Sequence, residues 1–376
     1  SSVPQVSGDF PLLFAARDGC AGAIEALILA RANPSQVQKL NGTFPLNSAA
    51  AKGHTEAVKA LLTATAEPNQ VNEKNGAFPL LMAAQEGHSS VIRTLVEGKA
   101  NLQKVGEKGG TFPLLLAAQG GHVEAVSTLL DSSAQVDQVN TMNGSFPLLL
   151  AAHRGHAGCV RALLSGSANP MLVEVKTWNF PLLVAAHLGN DDCVEALLAA
   201  RADPNQVDQR RVNFPLLVAA QVGHAGTVRA LLAGKAFPNQ VAESTGNFAL
   251  VIAAQNANDD VTKALLDAIA DPNQTHPSGQ FPLALATAAG RFVSVRALVE
   301  AKANPGQVDA KNGWFPLLLA VQGKKVECVR ILAEARADPK QAHRDTGWSP
   351  LLRAIQQGHD RYVQILTEPR GRADVA

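Results

Sequence analysis

The chain is poor in rings: one Tyr in 376 residues, and aromatics at only 5%. It has four cysteines, Cys20, Cys159, Cys193 and Cys328, and none forms a CxxC pair. A disulfide-framed secreted scaffold is therefore excluded, and reduced thiols place the chain in an intracellular reducing compartment: cytoplasm, nucleus or an organelle interior. No sign of charge dominates, at 33 basic against 32 acidic residues, so nothing global draws the chain to nucleic acid or anionic lipid. No apolar run approaches the ~18 residues of a membrane span, and no membrane insertion is expected. No signal peptide is visible; because the chain opens on Ser-Ser rather than Met, removal of an upstream segment stays open.

The signatures of catalysis are missing as well. There is no Walker loop, GxGxxG, HExxH or GxSxG. His122-Val-Glu124 has the HxE spacing of zinc deaminases but lacks their PCxxC. Glu56/Lys59, Asp260/Lys263 and Glu327/Arg330 are spaced i,i+3, as surface ion pairs on a helix are, not as an acid/base dyad. No catalytic residue, metal ligand or cofactor is expected, and the chain reads as a non-enzyme.

What is present is one phrase, repeated. FPLLLAAQGGH begins at Phe112, FPLLLAAHRGH at Phe146 and FPLLMAAQEGH at Phe78, each 34 residues from the next. The Phe position recurs at 10, 44, 78, 112, 146, 180, 214, 248, 281 and 315, with Ser349 closing the series; only the step from 248 to 281 is 33. This period marks a repeat architecture. Pro after Phe suits the first position of a helix, where its missing N–H has no partner to lose. LLLAA is apolar on all sides, as a helix sandwiched between neighbours must be, and Gly then ends it. A second segment such as 123–130 carries apolar residues at i, i+3 and i+4 with charge outward. The stretch typified by ADPNQVD (202–208) returns extended into the next Phe. Helices this short are marginal alone and become stable by stacking on their own copies. The expectation is an all-α repeat solenoid: a lead-in over 1–7, eleven stacked helix–turn–helix units with extended finger loops over 8–366, and a tail over 367–376.

With these residues laid out, the chain resembles the ankyrin-repeat family. Pro113-Leu114, the Ala117-Ala118 pair, Gly121-His122, the Val126/Leu129/Leu130 pattern and Ala134 stand where the ankyrin consensus has them. The resemblance implies paired helices, a β-hairpin-like finger, and a concave groove made by fingers and first helices. Three features depart from the family. Thr-Pro-Leu-His is replaced by Phe-Pro-Leu-Leu, with Ser349-Pro350 nearest the original. Most units carry one extra residue in the finger. The Gly after the second helix is often a base: Arg31, Lys99, Arg201, Lys235, Lys302 and Arg336.

Six of the ten His fill the Gly-His slot, but equivalent residues lie about 10 Å apart, too far to share a metal, so they are read as bonded to loop backbone. Second-helix bases such as Arg93, Arg161 and Arg229 are diluted by acids and read as a solvated face. Binding residues should instead be those that break the repeat on fingers and first-helix tips. Most fingers have Gly two residues before the Phe, whereas Trp178 and Val212 replace it, beside Arg210-Arg211. The slots after the Ala pair change to His153/Arg154, His187/Leu188 and Gln221/Val222. Trp and Arg dominate interface hot spots. The expected partner-binding set is therefore His153, Arg154, Trp178, His187, Leu188, Arg210, Arg211, Val212 and Val222. The expected function is a non-catalytic scaffold binding another protein through the groove. A recognition arm of a larger enzyme or channel, and a structural subunit of a large assembly, stand as alternatives. Arg353, Arg361 and Gln364 give the last unit a polar end, while the first unit has none, so a partner or a missing segment is expected to cover it.

Overall fold

The structure, a computed structural model, describes residues 8–209 and 212–368. The expected lead-in (1–7) and nearly all of the expected tail lie outside these residues. Among the described residues there are 22 helices and no strand, the helices falling into successive pairs of seven to nine residues each. The chain divides into two compact units, Ser1–Ala185 with Ala199–Ala202, and Ala186–Leu198 with Asp203–Ala376. Within each unit the architecture is an all-α repeat solenoid in which first helices pack on first helices and second helices on second.

The repeated phrase sets the local structure as its chemistry dictates. Phe112 stands in extended conformation (φ −139°, ψ 163°) just before Pro113–Gly120, and its side chain is fully buried. Phe at this position is 0–1% exposed from Phe44 to Phe315. An apolar anchor thus occupies the place of a hydrogen-bonding cap. Ser349 shows the contrast: its Oγ accepts from Leu352 N–H at 3.2 Å, a side-chain cap of the kind Phe cannot make. The Ala pair is fully buried in unit after unit (Ala83 and Ala84, Ala117 and Ala118), which lets neighbouring helices approach closely.

Gly87, Gly121 and Gly155 end their first helices at φ near +76°, as expected. The base-for-Gly substitution after the second helix leaves the geometry intact. Arg31, Lys99, Arg201, Lys235, Lys302 and Arg336 all take the left-handed conformation, with φ from 62° to 70°. The fingers differ from the implied hairpin. They are tight turns, closed in the second repeat by Asn72 N–H to Ala77 O (2.7 Å) and Gly76 N–H to Asn72 O (2.7 Å); a single isolated bridge, Val241 to Phe248, is the only β pairing among the described residues. The 33-residue repeat closes its finger one residue sooner, His276 N–H to Gln280 O at 2.8 Å, which places the missing residue in the finger.

Of the three expected ion pairs, only Glu327–Arg330 forms, at 3.6 Å; Glu56/Lys59 and Asp260/Lys263 do not. The polar end expected of the last repeat also needs correction. Arg353 lies over the Trp348 ring at 5.4 Å, while its neighbours Leu352 and Ile355 are 48% and 57% exposed.

Candidate functional site

The repeating polar residues are occupied in holding layers together. The Gly-His histidines do not bond loop backbone. Five of the six reach the last turn of the preceding first helix, among them His54 Nε2 to Arg17 O at 3.0 Å, His122 Nε2 to Gln85 O at 2.9 Å, and in the second unit His224 Nε2 to His187 O at 3.2 Å, whereas His359 Nε2 makes no such bond. The ring fills the space beside the preceding helix-ending glycine, so that a Cβ on Gly87 would lie 2.5 Å from His122 Nδ1. Gly and His are therefore one device shared by two layers.

Below the second helices, Asn69 Oδ1 accepts from Asn101 N–H at 2.7 Å and its Nδ2 donates to Lys99 O at 3.3 Å; Asn205 and Asn273 repeat both bonds in the second unit. The following Gln donates backward, as Gln240 Nε2 does to Asn205 O at 3.0 Å. At the finger tips a base also bonds backward: Lys74 to Lys39 O at 2.8 Å, Lys108 to Lys74 O, and Lys176 to Met142 O. A side chain committed to the neighbouring layer is not free to engage a partner. What remains is a set of positions that depart from the repeat.

In the first unit these are His153 and Arg154, both exposed at the end of Pro147–Arg154, and Trp178 at a finger tip. Trp178 has φ +65°. Its amide donates to Glu174 O at 2.8 Å, matching the bond of Gly144 to Asn140 O at 2.7 Å one repeat earlier. The indole thus occupies a glycine turn without altering it. A left-handed residue other than Gly costs about 1–2 kcal/mol. Beneath it Glu174 is 4% exposed and accepts from the amides of Lys176 and Thr177, each at 2.7 Å, and from the Thr177 hydroxyl. Burial pushes this carboxyl up, but the bonds from Thr177 and Lys176 and the Lys176 charge outweigh it, and the group ends below the usual carboxylate range.

In the second unit His187, Leu188 (41% exposed) and Val222 (48%) lie exposed at first-helix tips, and Val212 is half-buried with its amide donating to the Asp208 carboxylate at 2.9 Å. Arg210 and Arg211 lie outside the described residues. Arg210 falls in the column of Lys74, Lys108 and Lys176, whose bases bond backward; Arg211 falls in a column of small or uncharged residues that includes Asn41, Asn75, Gly109, Asn143 and Thr177, and is the more unusual of the two.

Some exposed apolar residues lie away from fingers and first-helix tips, and several of them break their columns. Phe237 is 63% exposed in a column of Asn101, Asp203 and Asp271, and Ile269 is 85% exposed at φ +62° in the column of Lys235 and Lys302. Comparing every column for breaks, not only those facing the expected groove, would find them. Trp314 packs edge-on against His343, ring centroids 5.1 Å apart, and contributes to finger packing.

Among the described residues no group of three or more His, Cys, Asp or Glu is placed to hold a metal ion, and no helix is long and apolar enough to cross a membrane. Of the thiols, Cys20 is exposed, whereas Cys159, Cys193 and Cys328 are buried. Burial pushes Cys328 up to about 11, Lys325 opposing and Glu327 reinforcing the shift.

Comparison with known proteins gives a consistent result. A family model of ankyrin repeats, three copies long, matches residues 12–105, 80–174, 114–208, 182–276, 216–309 and 283–375. Among solved structures, the crystal structure of human ASB11 ankyrin repeat domain is similar at 27% identity and a TM-score of 0.53, covering 61% of this chain and all of that one. No curated protein sequence matches the chain.

Proposed function

Because the chain belongs to the ankyrin-repeat family, whose repeats bind other proteins and are typically non-catalytic, we propose that it is a scaffold that grips a partner protein with the finger tips and first-helix ends around Trp178. The observation that carries this reading is the torsion of Trp178. An aromatic in a left-handed turn, where Gly42, Gly76, Gly110 and Gly144 stand in other fingers, is local strain, and such strain collects at functional positions. The proposed contacts in the first unit are His153, Arg154 and Trp178; those in the second, taken by itself, are His187, Leu188, Val212 and Val222, with Arg210 and Arg211 named from the sequence. The near-balanced charge favours a protein over nucleic acid. Free thiols, with Cys20 exposed, favour a reducing compartment.

The test is affinity capture from the source cell, wild type against a Trp178→Ala, Arg210→Ala, Arg211→Ala triple variant. Captured proteins should disappear with the variant while its helical circular dichroism is unchanged. Retention of the same proteins would refute the reading.

A further inference from the structure

Most turns between first and second helices carry Gly followed by His or Asn, and two successive repeats of the second unit depart from this together. The repeat that opens on Phe281 has Gly290-Arg291, and the next, opening on Phe315, has Lys324-Lys325. Just past the first of these turns, Phe292 and Val293 begin the helix Phe292–Glu300, where Thr55-Glu56, Asp191-Asp192 and Asp259-Asp260 begin theirs. Phe292 is 50% exposed and Val293 46%. Within two layers, then, an acid is lost, three bases are gained and two apolar side chains face water.

The local fold is not improved by these changes. Lys324 takes φ +55° where Gly53, Gly87 and Gly155 take 75–77°. A Cβ on Gly121 would stand 2.8 Å from the His156 ring; Lys324 carries that Cβ, and His359 in the following repeat is the Gly-His histidine whose Nε2 is left without a partner. Strain of this kind collects at functional positions. Arg291 and Lys325 are the N-cap residues of Phe292–Glu300 and Val326–Glu334, the positive ends of two helix dipoles, where cations are disfavoured. Lys325 also lies across Gly290, whose Cβ would be 3.1 Å from its Nζ, so its ammonium rests next to the residue before Arg291. Among the described residues no ion pair or hydrogen bond engages the charged ends of Arg291, Lys324 or Lys325. Glu327, in the same layer, is paired with Arg330 at 3.6 Å, and Asp259 accepts from the Ser294 hydroxyl at 2.5 Å.

We propose that this edge of the second unit is a further binding site, separate from the one around Trp178, and that it takes a short acidic peptide segment of a partner protein. Carboxylates of the segment meet Arg291, Lys324 and Lys325, and an apolar side chain rests on Phe292 and Val293. Charge complementarity selects an acidic ligand. Extent selects a peptide. Exposed Asp260 stands one repeat before the basic edge and exposed Asp360 one repeat after it, so the edge is closed at both ends within two layers, about 20 Å. A flat anionic membrane or a long phosphate backbone would meet those carboxylates as well. Five or six extended residues, at about 3.3 Å each, fit between them.

Fluorescence anisotropy on the full chain at neutral pH tests this, with a labelled hexapeptide of four Glu around a Leu-Phe pair and its counterpart with Lys in place of Glu. The acidic peptide should bind with a Kd of about 10–100 µM and the Lys peptide about tenfold or more weakly. Arg291→His, Lys324→Gly and Lys325→His restore the residues that other repeats carry. The triple variant should therefore keep its helical circular dichroism while losing the acidic peptide by about tenfold or more. Phe292→Thr, which installs the residue found at Thr55, should weaken the acidic peptide with all three bases in place. Trp178→Ala should leave its binding unchanged, even where that variant abolishes capture at the finger site. Any of four results overturns the inference: no preference for the acidic peptide over the Lys peptide; binding that survives the triple variant; binding indifferent to Phe292→Thr; or phosphatidylserine vesicles bound in place of the peptide and released by the triple variant, which would give the edge to a membrane.

Discussion

Most described repeats turn the backbone into the left-handed region both at the finger and behind the second helix, and the two turns are filled by opposite rules. At the finger tip the residue is Gly at 42, 76, 110, 144, 246, 279, 313 and 347, with φ between 65° and 95°. Behind the second helix, among the described residues, it is not Gly: Arg31, Thr65, Lys99, Ser133, Ser167, Arg201, Lys235, Ile269, Lys302 and Arg336 take φ between 62° and 70°. The torsion is nearly the same, so torsion does not choose the residue. Surroundings do. A Cβ on Gly110 would stand 2.5 Å from Asn140 Oδ1, whereas Lys99, Lys235 and Lys302 point into solvent. Strain of ~1–2 kcal/mol is tolerated where nothing is in the way. Trp178, like Val212 one repeat on, is a side chain at a turn where the other linked fingers carry Gly, and that is why it reads as functional.

The largest effect should come from imposing a side chain on a crowded finger. Gly110→Ala combines the torsional cost with loss of the Asn140–Gly109 hydrogen bond (2.9 Å) and should lower the unfolding free energy by about 2–3 kcal/mol in urea denaturation. Trp178→Gly should barely move the denaturation midpoint, because relief of ~1 kcal/mol of torsion offsets the packing of a half-buried ring. Partner capture should nevertheless fall tenfold or more, as for a hot-spot residue. Lys99→Gly, at the open turn, should stabilise by about 0.5–1 kcal/mol, visible as a small rise in melting temperature. The smallest effect depends on pH. Glu174 titrates lower when folded than its ordinary 4.5, so its stabilisation is full above that value and is lost as pH falls through the lower folded one. Glu174→Gln should therefore lower stability slightly at neutral pH, converge on wild type in acid, and so flatten the pH dependence of the denaturation midpoint.

Much of this fold was legible because its determinants are periodic. Phe, Pro, the Ala pair and the helix-ending Gly each answer a local demand, and repetition made each demand visible many times. The roles of polar residues were less legible because a one-dimensional reading cannot see the next layer. His122 reads as a loop residue until its ring is found on Gln85 O, 37 residues back. Lys176 bonds back to the preceding finger, a contact that no pattern along the chain displays. The pattern-breakers at the candidate site were legible as exceptions, yet the torsion that gives Trp178 its meaning was not, since a sequence shows that Gly is missing but not that its conformation persists.

The side-chain bonds between repeats span only 29 to 38 residues of sequence, from Gln38–Asp9 to Asn258–Ala220. No tie waits for a distant part of the chain to arrive. At a synthesis rate of ~5–20 residues per second, a repeat follows its predecessor from the ribosome within a few seconds, while helices form in about a microsecond. The growing chain can thus dock each repeat onto a finished one as it emerges, so that translation order becomes assembly order and an interrupted message leaves a shorter array rather than an unfolded one.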